Sequence, residues 1–144
     1  MIDLIQYREY WERVADRLDS VTGVLPVAVD KDMGKKIQSL PTGSVTLFVL
    51  PPGAESESKN PDAFCESNQC VVFVMEKYDP QRKTSFAALE SSQKSIEDIK
   101  ALMLDDLAAG CPVMRFDLST LNTLPETEFF AGFAGWSIGF KIIT

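Results

Sequence analysis

From Trp136 the chain alternates strictly. Trp136, Ile138, Phe140 and Ile142 fall on one face, and Ser137, Gly139 and Lys141 on the other. Period-2 alternation is the signature of a strand buried on one side, so the spacing predicts a last strand from about Glu128 to Ile143, bent or bulged near Gly132 and Gly135. Two further runs read as strands, Val45–Leu50, ended by Pro51-Pro52-Gly53, and Cys70–Met75. The second has no polar position, which predicts a central strand covered on both faces by helices or by another subunit. Val113–Leu118 alternates again, with Met114, Phe116 and Leu118 on one side, and Leu121–Pro125 reads as a turn.

Two segments carry the helical period instead. Over residues 3–21, Leu4, Tyr7, Trp11, Val14 and Leu18 recur at intervals of three and four, with Ala15 on the same face. Trp11 is expected to anchor the core, Glu9 and Arg13 are spaced as an i,i+4 ion pair, and Gly23 is the expected stop. Thr84–Ala109 is the long helix, with Phe86, Leu89, Ile96, Ile99, Met103 and Leu107 along one stripe. Thr84 or Ser85 can cap its start, and Gly110 followed by Pro112 marks its end. Between them, Leu25–Val29 reads as a short edge strand, where Pro26 is tolerated. Asp30 can cap a short helix carrying Met33, Ile37 and Leu40. Residues 52–68 read as a long polar loop from which Phe64 and Cys65 can touch a hydrophobic surface of this subunit or a neighbour.

These elements predict an α+β fold of order α-β-β-α-β-β. A mostly antiparallel sheet of four or more strands carries an N-terminal helix and one long helix. The 144 residues suit one domain spanning 1–144, and with 45% apolar residues no disulfide or metal is needed to hold its core. Met1-Ile2-Asp3-Leu4 leads at once into charged residues, unlike a signal peptide. No run approaches the roughly 20 apolar residues of a membrane helix, so a soluble intracellular protein without membrane contact is expected.

Charge and chemistry narrow the function. The net charge of −7 disfavours attraction to nucleic-acid phosphates. The chain has no histidine, which removes the usual base near neutral pH and the commonest nitrogen metal ligand. Cys65, Cys70 and Cys111 are odd in number and lack a CxxC, so a closed zinc site would need carboxylate help. They are expected to be reduced thiols, with Cys70 in the core. Asp30-Lys31-Asp32 starts like a calcium loop but lacks the remaining ligands. Gly132, Gly135 and Gly139 match no nucleotide loop and point to close backbone approach. Arg82-Lys83-Thr84-Ser85 can hold a phosphate at the helix start or simply form a solvated turn. The pairs Glu97-Asp98 and Asp105-Asp106 read as a solvated face. No catalytic, cofactor or metal site is assigned, and no enzymatic activity is expected.

The phrases Val45-Thr46-Leu47-Phe48-Val49-Leu50-Pro51, Cys70–Met75 leading into the helix Ser85–Leu107, and Ala134-Gly135-Trp136-Ser137-Ile138-Gly139-Phe140 make the chain resemble the small neck and tail-completion proteins of tailed bacteriophages, tail terminators among them. The resemblance is one of architecture along most of the chain and carries over no functional residue. It implies a homo-oligomeric ring, commonly hexameric in that family, that caps the tail tube and joins it to the head-side connector. It also implies an acidic lumen through which DNA passes without specific binding, and a virion protein made in the host bacterial cytoplasm. The alternative is a small non-enzymatic α+β binding module for a protein or small ligand.

Overall fold

Helix α1 (Leu4–Asp16) begins where Asp3 accepts hydrogen bonds from the backbone N–H groups of Ile5 (2.8 Å) and Gln6 (3.1 Å). That satisfies two of the donors every helix start leaves open. In this computed structural model, which describes residues 1–28, 31–127 and 131–144, the chain continues through β1 (Gly23–Pro26), α2 (Lys31–Gln38), β2 (Val45–Val49), β3 (Gly53–Ser56), β4 (Glu66–Lys77), α3 (Ser85–Ala108), β5 (Phe116–Glu126) and β6 (Phe133–Ile143). Val29, the Asp30 cap and the Glu128 strand start lie outside the described residues.

The class is α+β, as expected. Six strands form one mixed sheet in the order β1-β2-β4-β6-β5, with β3 also paired to β4. All pairs are antiparallel except β1 with β2. That parallel pair encloses α2 in a β–α–β unit, since parallel neighbours need a crossover rather than a turn. The expected edge strand at 25–29 therefore exists but starts earlier, at Gly23, and Pro26 sits on its open side.

Helices α1 and α3 cover one sheet face. There Tyr7, Trp11 and Val14 of α1 and Ile96, Ile99 and Met103 of α3 meet Leu47, Val72, Val74, Ile138 and Phe140. Trp11 is fully buried, with Tyr10 edge-on to it at 5.2 Å and Phe140 tilted at 6.1 Å. The ion pair on α1 is Arg8–Glu12 (3.4 Å) rather than the spaced Glu9 and Arg13. Trp136 is half-buried and donates from Nε1 to the Leu89 carbonyl of α3 (3.1 Å). A smaller cluster on the opposite face packs Ile37 and Leu40 against Phe48, Phe73, Met75 and Phe133. The apolar run of β4 is thus buried on its helix side and covered on the other mainly at its C-terminal half.

Four expectations are corrected. Leu121–Pro125 is not a turn but the second half of β5, which pairs with β6 after a register shift between Asp117 and Asn122. The irregularity lies there, not in β6, which pairs with β4 without a break from Phe133 to Ile143. Pro125 is accommodated because β5 is an edge strand with no donor needed on its outer side. Val113 and Met114 belong to a single 3-10 turn, and Leu118 points to solvent. Phe86, expected in the core stripe, is 68% exposed, because it lies off the arc of α3 that buries Ala88, Leu89, Ser92, Ser95, Ile96 and Ile99. The long helix otherwise starts and ends as expected, with Thr84 Oγ1 accepting from Ala87 N–H (3.1 Å) and Gly110 in a left-handed conformation at φ +75°.

Gly135 explains the tight β4–β6 contact. A Cβ there would lie 1.9 Å from the Val74 carbonyl oxygen, so only glycine lets the two backbones approach so closely.

Candidate functional site

The segment expected to be a loop is built instead as an arm. β2 and β3 both pair with β4, and between Val49↔Val72 and Gly53↔Gln69 three residues oppose two. That is a bulge carrying Pro51 and Pro52. Beyond it Gly53–Ser56 pairs with Glu66–Gln69, and every β3 residue is exposed. Only residues 57–65 remain as the connecting tip. This tip is tied to itself. Glu57 N–H donates to the Cys65 carbonyl (3.0 Å), Cys65 N–H to Ser58 Oγ (2.5 Å), and Ser58 Oγ to the Ala63 carbonyl (2.9 Å). Asn60 Oδ1 accepts from Asp62 N–H (3.1 Å), closing a 3-10 turn. The ordered tip presents Phe64, 64% exposed, beside a half-buried Cys65. Residues 55–66 carry four carboxylates, Glu55, Glu57, Asp62 and Glu66, and one lysine, Lys59; Glu66 is paired with the Met1 ammonium and Glu55 accepts from Gln69 (3.3 Å).

Two concave surfaces lie nearby. The first is an apolar cleft of about 240 Å³ where the start of α1 meets the ends of β1 and β2; Leu4, Ile5, Val27, Val49 and Leu50 line it and Arg8 stands at its edge. Leu4 and Ile5 are exposed there. The second is a groove of about 310 Å³ on the sheet face opposite α1 and α3, over β4, β6 and β5. Its walls hold Val71, Phe73 and Leu124. Ser137 donates to Glu126 across it (2.8 Å), and the Asn122 side chain lies over Gly139.

The residues singled out by chemistry do not converge. Cys70 is buried in the core as expected, and burial pushes its thiol up to about 12. Burial likewise holds the neighbouring Tyr7 hydroxyl well above its ordinary range, with Cys70 adding to the effect. All three cysteines are free. Arg82 reaches Asp79 (3.7 Å), and Lys83 donates to both Glu76 (2.7 Å) and Ser91 (2.7 Å), clasping β4 to the start of α3. The helix start that could have held a phosphate is capped by its own Thr84. Glu97 and Asp98 pair with Lys100 and Lys94 along the helix surface.

Asp106 departs from the solvated-face expectation. It accepts from Tyr10 OH (2.8 Å) and lies 3.4 Å from Arg17, joining α3 to α1. Burial, and then this bond, raise the Tyr10 pKa. Asp117 is held below its ordinary range by hydrogen bonds from Ser119. Among the described residues no cluster of three or more Cys, Asp or Glu side chains is placed to hold a metal, and no helix is long and apolar enough to cross a membrane. Asp30 of the calcium-like tripeptide lies outside the described residues. No protein-family model matches the chain, and no curated protein matches it.

Proposed function

We propose that this chain is a non-enzymatic structural subunit of a phage or phage-like tail or neck. In this reading it is a tail-terminator or tail-completion protein that forms a homo-oligomeric ring and joins the tail tube to the head-side connector. The observation that carries this is the arm. Residues 53–69 form a hairpin whose outer strand adds nothing to the core, yet its tip is internally bonded and holds an aromatic side chain in solvent. An ordered projection of that kind is a contact device, and a projection that meets an unlike surface on the next copy generates a ring when the rotation closes. The net charge of −7 suits a lumen that passes DNA without holding it. Its location would be the virion, after synthesis in the host cytoplasm.

Sedimentation of the purified chain across a concentration series, with electron microscopy of the heaviest species, tests the proposal. Closed rings are expected, together with flanking genes for tail-tube and portal proteins. A persistent monomer whose gene lies among genes of unrelated metabolism would overturn it.

A further inference from the structure

The groove over β4, β6 and β5 selects for charge. Its floor is β6, where Ser137 and Gly139 keep the surface low. The ladders set its walls: Phe73, Ser137 and Leu124 stand in one row, and Val71, Gly139 and Asn122 in the next. Its volume of about 310 Å³ lies at the lower end of small-molecule sites, which run from about 300 to 1,000 Å³. Glu126 closes one end. Its partly buried carboxylate accepts at Oε1 from the Ser137 hydroxyl (2.8 Å), and among the described residues it meets no cation. Lys77, on the same face of β4, donates instead to the carbonyls of Gln38 (2.7 Å) and Leu40 (2.6 Å). At the other end Lys141 stands opposite Asp117 in the β5–β6 ladder, so an anion finds no uncompensated cation there. Gln69 beside it is engaged with Glu55 (3.3 Å). The charge left over is the Glu126 carboxylate at the end of an apolar trough. That arrangement favours an ammonium on an apolar body, because a partly buried pair is screened less than one in open water.

We propose that this groove binds a small organic ammonium, a primary amine on an apolar body of about the size of phenethylamine. The ammonium pairs with Glu126, whose Oε2 is left open by the Ser137 bond to Oε1. The apolar body lies over Ser137 and Gly139, between Val71, Phe73 and Leu124. The site goes beyond the ring reading and does not depend on the arm.

The test titrates the full chain with phenethylamine at neutral pH and follows backbone amides by NMR. The controls are 2-phenylethanol, a neutral isostere, and 3-phenylpropanoate, an anion of similar size. Saturable shifts are expected at Val71, Phe73, Leu124 and Gly139 with the amine, and binding about tenfold weaker or more with either control. Glu126→Gln should bring the amine down to the level of the alcohol without changing the melting temperature. Leu124→Ala, at an exposed position, should weaken the amine and the alcohol alike. Equal affinity for the three probes overturns the proposal, as does amine binding that survives Glu126→Gln. Shifts centred outside the groove, or none that saturate up to about 10 mM, also overturn it.

Discussion

Strand β4 lives in two environments. From Cys70 to Met75 its helix-side residues Cys70, Val72 and Val74 are sealed beneath α1 and α3, between β2 and β6. From Glu66 to Gln69 the same strand supports the exposed β3 on one side and the end of β6 on the other. The first half is held by burial, worth roughly 25 cal/mol per Å² of apolar surface. On its β3 side the second half is held by backbone pairing, whose net value is about 1 kcal/mol per bond. One continuous strand thus passes from the part that makes the protein fold to the part proposed to make it assemble. Because the two draw on different forces, substitutions can separate them.

The largest effect is expected at Gly135→Val. The added atoms would overlap the Val74 carbonyl, forcing β4 and β6 apart, and a loss of about 4 kcal/mol or more in denaturant melts follows. A loss below about 1 kcal/mol would mean that the ladder shifts freely. Trp136→Ala removes a half-buried ring and its bond to Leu89 and should cost about 3 kcal/mol. Near-zero loss would place Trp136 outside the core.

Alkaline pH should loosen the buried half more gently. The folded pKa values of Cys70, Tyr7 and Tyr10 are raised by burial, that of Cys70 from 9.0 to about 12. The unfolded chain therefore releases protons that the folded one keeps. Stability is complete below about pH 9 and falls as pH rises through the folded values. Cys70→Ala should delay the onset toward the tyrosine value of 10.0. A melting temperature that stays flat across this window would show these groups to be hydrated. The smallest effect is expected at the arm. Replacing residues 57–65 with Asn-Gly between the paired Ser56 and Glu66 supplies a natural two-residue hairpin turn. Folding stability should change by less than about 0.5 kcal/mol, while self-association measured by sedimentation should be lost. An unchanged assembly would remove the arm from the interface.

What could be read in advance follows the same division. Trp11, Ile138, Phe140 and Ile142 were legible because burial against one face imposes a period on apolar residues. β3 was not, because Gly53-Ala54-Glu55-Ser56 pairs through backbone groups and leaves no apolar trace. Asn122 and Pro125 carry turn chemistry yet lie in an edge strand, where a missing donor costs nothing. Phe86 looked like core because its spacing from Leu89 fits a broad stripe, but the arc that is buried runs through Ala88, Ser92, Ser95 and Ile99 and leaves Phe86 outside it. Of the candidate surfaces, Phe64 was visible as an apolar residue inside a polar stretch. The cleft was not, since Leu4, Val27 and Leu50 come from three separate elements.

The two tryptophans also make the molecule its own optical probe. The Trp11 indole sits in the dry interior between Tyr10 and Phe140, so its emission belongs at the blue end of the range, shielded from a soluble quencher. The Trp136 indole, half-buried and bonded to a carbonyl, belongs further to the red and within a quencher's reach. Selective excitation can therefore follow the loosening of the helix–sheet junction separately from collapse of the interior, without any label.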